Sequence, residues 1–79
     1  FPSLFPIKII GNNTESFTGD VAAAIRSVVP LFEPSTLMSE YSKNKSYISL
    51  TANVFVDSQN QLDAVYRALT ALSDARFVL

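Results

Sequence analysis

"YISLTANVFV", residues 47–56, decides the fold of this 79-residue chain. Ile48, Leu50, Ala52, Val54 and Val56 fall on one face of an extended segment, and Tyr47, Ser49, Thr51, Asn53 and Phe55 on the other. That is a strict period of two, the signature of a strand with one buried face. Its apolar face must be covered by another element. The cover lies just downstream, in "SQNQLDAVYRALTAL" (58–72), where Leu62, Val65, Tyr66, Leu69 and Leu72 recur at helical spacing. Ser58 and Gln61 there form the S-x-x-Q pattern of a capping box.

Upstream, "SKNKS" (42–46) reads as a turn with Asn44 as the expected residue of positive φ. "TLMSEYS" (36–42) is a more polar strand, suited to a sheet edge. In "LFPIKII" (4–10), Phe5, Ile7 and Ile9 alternate with Pro6, Lys8 and Ile10, a strand that Gly11 is expected to end. Pro6 has no N–H and belongs near the strand's start, on an unpaired side or at an irregularity. Residues 14–29 read as a helix whose stripe is Phe17, Val21, Ala24, Ile25 and Val28. Asn13 or Thr14 is the expected cap, and Pro30 stops the helix. Leu31 and Phe32 are expected to tuck beneath it. "ARFVL" (75–79) is a last short strand.

The order β-α-β-β-α-β specifies an α+β, ferredoxin-like domain spanning 1–79. Right-handed crossovers give an antiparallel sheet in order 4-1-3-2, with both helices on one face. Val21, Ile25, Leu50, Val54, Leu62, Tyr66 and Leu69 are the expected heart of the core.

Composition narrows the function. The chain has no cysteine and no histidine, which removes disulfides, thiolate metal sites and the commonest general base together. A net charge of −1 argues against nucleic acid, which demands clustered Lys and Arg. No apolar run approaches the ~20 residues that span a bilayer, and no signal-peptide pattern is present, so a cytoplasmic protein is expected. No cofactor is expected. Ser nucleophiles need a base and an orienting acid. Ser49 and Thr51 have neither in prospect, and the seven carboxylates are scattered. Catalysis is not expected.

"FPIKIIG" (5–11) resembles the opening motif of the YbeD-like family, small uncharacterised bacterial proteins also described as lipoate regulatory protein-like. Phe5, Lys8 and Gly11 match it. So do Phe17, Val21 and Pro30 in the first helix, and Ser42, Lys43, Tyr47, Ser49, Leu50 and Thr51 around the turn. Gln61, Leu62, Asp63, Val65, Tyr66 and Leu69 match the second helix, and Phe77, Val78 and Leu79 the end. The order and spacing of these motifs carry the resemblance over nearly the whole chain. Family members usually hold a Gly in the turn before the Tyr. Asn44 or Lys45 stands there here, which implies a looser hairpin or another turn type. The resemblance implies a fold similar to ligand-binding ACT domains, in which a small ligand often sits by the loop between the first strand and first helix, frequently at a dimer interface.

Two candidate surfaces follow. Gly11, Asn12 and Asn13 form a strand–helix junction whose free N–H groups suit a carboxylate, although a plain turn with Gly at positive φ and Asn as cap also accounts for them. Lys8, mid-strand and pointing away from the helices, would hold an anion, pair with an acid across an interface, or stand solvated. Lys43 and Lys45 read as a solvated tip. The second surface is the uncovered sheet face, where Ile10, Phe55 and Val78 are expected beside Lys8, Thr51, Asn53 and Arg76. Phe and Ile together in such a patch are better explained by a partner than by solvent. The expected partners are a second copy of the chain or another protein, together with a small-molecule ligand. The function expected is a non-enzymatic, ACT-like regulatory or ligand-sensing module; the alternative is an interaction adaptor with no small-molecule site. A pocket beside Gly11 favours the first, and a filled loop beneath a flat apolar sheet face favours the second.

Overall fold

The computed structural model describes residues 2–79. Its elements are β1 (Ser3–Asn12), α1 (Phe17–Val28), a 3₁₀ turn (Pro34–Thr36), β2 (Met38–Tyr41), β3 (Tyr47–Val56), α2 (Gln59–Thr70) and β4 (Ala75–Val78). The sheet runs β2-β3-β1-β4 with every neighbouring pair antiparallel, the 4-1-3-2 order read from its other edge. β1 and β3 form the centre and pair without interruption from Ser3 opposite Val56 to Asn12 opposite Tyr47.

Alternation then fixes the core. Ile7 and Ile9 of β1 and Ile48, Leu50, Ala52, Val54 and Val56 of β3 face the helices and are buried. Phe17, Val21 and Ile25 of α1 and Leu62, Val65 and Leu69 of α2 close over them in the same cluster. Each of the Val, Leu, Ile and Phe side chains among them contributes roughly 1.5–3 kcal/mol by leaving water. Tyr66 is only half-buried, because it packs at the margin of the cluster.

Pro6 sits inside the central strand without an orphaned partner. Lys8 and Leu79 exchange both backbone hydrogen bonds, at 3.0 and 2.8 Å. Alternate residues of a strand present their N–H to the same side. Pro6 therefore turns its ring nitrogen toward the β4 side, beyond the last pair of that ladder, on an unpaired stretch as the sequence requires.

At α2 the expected cap forms: the Ser58 hydroxyl accepts from the Gln61 N–H at 3.1 Å. The returning bond lands one residue early, from the Asp57 N–H to Gln61 Oε1. Gln61 also donates to the Val28 carbonyl at 3.4 Å, tying the two helices together. No helix of the described residues is long and apolar enough to cross a membrane.

Several expectations are corrected. Gly11 does not end β1, which continues through Asn12 because both residues still pair with β3. α1 starts three residues later than expected, at Phe17, and its N-cap Ser16 makes no side-chain cap bond. Asn13 and Thr14 do not cap it, since their side chains are held elsewhere. Phe32 is buried, but Leu31 is 90% exposed on the outside of the bend. In the β2–β3 turn, positive φ falls on Lys45 (61°) and not on Asn44. The Asn44 side chain instead braces the loop, accepting from the Ser42 hydroxyl and the Ser46 N–H at 3.1 Å each. That bracing leaves the left-handed conformation to the next position, Lys45.

Leu69→Ala removes a fully buried side chain between α2 and the sheet. It is expected to cost about 2–5 kcal/mol, out of roughly 5–10 kcal/mol for a domain of this size. Urea denaturation measures it; a loss below about 1 kcal/mol would contradict the packing described.

Candidate functional site: the open sheet face

The same alternation that buries one face of the sheet assembles the other. Leu4, Pro6, Lys8 and Ile10 of β1 point away from the helices, opposite Phe55, Asn53, Thr51 and Ser49 of β3. Met38 and Glu40 of β2 pair with Thr51 and Ser49 and share their face. On the far side, Phe77 pairs with Ile10, and Leu79 follows opposite Lys8. Leu4, Phe55, Phe77 and Leu79 are each more than half exposed, at 62%, 53%, 62% and 65%. Ile10 and Thr51 on the same face are half-buried.

The β4 side of this face departs from simple alternation. Ile10 pairs with Phe77 but Gly11 pairs with Ala75, so Arg76 is an extra residue in the ladder. A bulge of this kind turns two successive side chains to one side. Val78, expected on the open face, accordingly pairs with Ile9 and packs against the core. Phe77 takes its place outside. No signal within "ARFVL" marks the bulge; its cause is the partner strand.

That cause is Gly11. A Cβ built there would lie 2.5 Å from the Asp74 carbonyl oxygen and would also collide with the Phe17 ring. Its φ is not positive, so the turn reading of Gly11 is replaced by one of close approach. The Asp74 carbonyl comes this near because it accepts the Asn12 N–H at 2.9 Å. The Asp74 carboxylate accepts from Asn12 Nδ2 at 3.3 Å and from the Thr14 hydroxyl at 3.2 Å. Asn13 turns the other way: its backbone N–H donates to the Ser46 carbonyl at 3.0 Å and its Nδ2 to the Lys45 carbonyl at 2.9 Å. Residues 11–14 thus clamp the β2–β3 turn to the α2–β4 turn. The loop is filled by its own contacts, and neither Gly11, Asn12 nor Asn13 lines any of the three hollows described here.

The largest of these three hollows lies on the open face at the hairpin end. It measures about 640 Å³ and is lined by Ile10, Ser42, Tyr47, Arg76 and Phe77. Tyr47 crosses toward β4, where the Arg76 guanidinium sits 5.6 Å from its ring centroid and donates to its hydroxyl at 3.4 Å. A smaller hollow of about 170 Å³ adjoins it, with Lys8 and Glu40 on its walls and Ile10 and Tyr47 shared. Lys8 is exposed there and makes no side-chain hydrogen bond or ion pair among the described residues. A third hollow, about 340 Å³, lies between Pro30–Phe32 and Phe55 at the opposite end. The structure therefore gathers Lys8, Ile10, Thr51 and Phe55 on one surface, and sets Gly11, Asn12 and Asn13 apart as an internal junction. Phe77 and the hollow it forms with Tyr47 were not legible without the bulge.

Residues 1–79 match, along their whole length, the family described as "Protein of unknown function (DUF493)". The chain belongs to the DUF493 family. This is the YbeD-like family that the ordered motifs resemble. A UPF0250 protein of Nitrosomonas europaea is 39% identical over 69 residues, covering 87% of this chain and 79% of the relative. The solution structure of protein HP0495 from H. pylori matches with a TM-score of 0.81 at 16% identity, over 100% of this chain and 82% of that one. The ACT domain from GTP pyrophosphokinase of Chlorobium tepidum matches with a TM-score of 0.70 at 15% identity, over 100% and 97%. The fold of this DUF493 chain is ACT-like.

The two glycines should respond oppositely to alanine. Gly11→Ala forces its methyl into backbone and ring, and is expected to lose about 1–3 kcal/mol as overpacking does. Gly19 lies on the exposed face of α1 with nothing within 4 Å of a Cβ. Gly19→Ala is expected to gain up to about 1 kcal/mol. Thermal melts of both variants check this; a Gly11→Ala protein as stable as the parent would contradict the clamp.

Proposed function

We propose that the chain is a non-enzymatic regulatory module of ACT-like type that works by association through its open sheet face, with a second copy of itself as the partner. The observation that carries this reading is the apolar set exposed on one face of the sheet, Phe77 and Leu79 beside Ile10 toward one end and Leu4 opposite Phe55 toward the other. Covering one such Phe contributes roughly 2–3 kcal/mol, so a few of them suffice to drive association.

Three further points favour a second copy. A net charge of −1 leaves little repulsion between copies. The face carries both Lys8 and Glu40, and a twofold axis lets opposite charges on two copies face one another. The molecule's longer dimensions, 39 and 21 Å, suit a face of the size of a standard interface, about 800 Å² per partner. The regulatory part of the proposal draws on the likeness to the ACT domain of a GTP pyrophosphokinase. Its non-enzymatic part draws on Ser49 and Thr51 standing on a sheet surface, in a chain with no histidine to activate them. A chain without cysteine also suits the cytoplasm.

Sedimentation velocity of the parent and of Phe55→Glu tests the proposal. The parent is expected to sediment faster with rising concentration, while Phe55→Glu stays monomeric with an unchanged melting temperature. A parent that remains monomeric at every concentration contradicts the second copy and leaves another protein as the partner. A Phe55→Glu variant that unfolds contradicts the assignment of the two sheet faces.

A further inference from the structure

The hollow at the hairpin end shares Ile10 and Phe77 with the associating face and adds Tyr47 and Arg76, which association does not call on. Its volume of about 640 Å³ lies inside the range of small-molecule sites, about 300–1,000 Å³. Ile10 and Phe77 supply apolar surface, and Tyr47 adds a second aromatic ring. Its one charged group is Arg76. The Tyr47 ring and hydroxyl orient that guanidinium while occupying one of its five N–H donors. Among the described residues no carboxylate pairs with it. Ser42 adds no free polar contact: its hydroxyl donates to Asn44 Oδ1 and accepts the Tyr47 N–H. A guanidinium oriented by the Tyr47 ring and free of a carboxylate, with Phe77 lining the same hollow, is the chemistry that takes a carboxylate in a two-point fork while an apolar body lies against the aromatic side chains. The adjoining hollow limits the charge. Lys8 and Glu40 stand there together and sum to zero charge, so Arg76 is the uncompensated charge at the hollow and matches one carboxylate.

We propose that this hollow binds a small organic monocarboxylate with a planar apolar body, seated between Tyr47 and Phe77 with its carboxylate on Arg76. The site is complete within one chain and separate from the junction at residues 11–13. Ile10 and Phe77 also belong to the associating face, so the ligand is taken by the single copy and competes with association.

The test is a titration of the ¹⁵N-labelled chain with 3-phenylpropionate, followed by amide chemical shifts, with 3-phenylpropionamide as the uncharged control. Shifts at Ile10, Tyr47, Arg76 and Phe77 are expected to move together and saturate. The amide, and the acid with Arg76→Gln, are each expected to bind at least about tenfold more weakly, as loss of a charge-assisted pair requires. Arg76→Lys should fall between, keeping the charge and losing the fork. Arg76 is exposed, so these variants are expected to keep the parent's spectrum elsewhere. Equal binding of acid and amide overturns the proposal, as does an absence of saturation, or shifts centred on residues 11–13 or on Leu31 and Phe55. Phe55→Glu, at the far end of the face, should bind the acid like the parent at a dilution where the parent is monomeric. Failure of self-association and failure of the carboxylate site are thereby read separately.

Discussion

The contact on which the rest depends is the approach of the Phe17 ring and the Asp74 carbonyl to the bare backbone of Gly11. Phe17 is the first residue of α1 and is fully buried. Its ring can lie against the central strand only because no side chain stands there. Once it does, the first turn of α1 is anchored over β1, and Val21 and Ile25 follow at helical spacing onto Ile7, Ile9 and Leu50. Protein interiors are packed too tightly to absorb even one added methyl group at such a crossing. Gly11 is therefore a constraint of packing on the sequence.

The consequence reaches the opposite face of the sheet. Asp74 is held against residues 12 and 14 by its carbonyl and by both carboxylate oxygens. With Ala75 fixed opposite Gly11, β4 has one residue too many to reach Phe77 opposite Ile10, and Arg76 is pushed out of the ladder. The packing decision made beneath the sheet thus puts Arg76 and Phe77 side by side above it. Tyr47, from the far end of β3, completes the wall. The helix-side core and the open-face surface are two results of one close contact.

This also explains what the sequence disclosed and what it withheld. Element order, sheet order and the two faces of β3 were legible because they follow from periodicity: ten consecutive residues of β3 alternate without a fault. Lys8, Ile10, Thr51 and Phe55 could be placed on the open face for the same reason. Val78 could not, because a bulge is a property of two strands together and period-two reasoning on "ARFVL" has no access to it. Gly11 was visible as a special residue, but a glycine that avoids a clash and a glycine that turns the chain look alike in one dimension. Asn13 and Thr14 have cap chemistry, and only the fold shows that the Lys45 carbonyl and the Asp74 carboxylate claim them first. Lys45 takes the left-handed position because the Asn44 side chain is spent bracing the loop, a competition between neighbours that propensity does not rank.

The central claim is that the open sheet face, and neither the β2 edge nor the helix layer, is the working surface. The most direct measurement is a dilution series of the uniformly ¹⁵N-labelled parent chain, reading which amide resonances move with concentration. The account predicts movement at Leu4, Ile10, Phe55 and Phe77, with α1 and α2 unmoved. Movement confined to Met38–Tyr41 would place the contact at the sheet edge, and movement confined to the helices would place it on the covered side; either result contradicts the account.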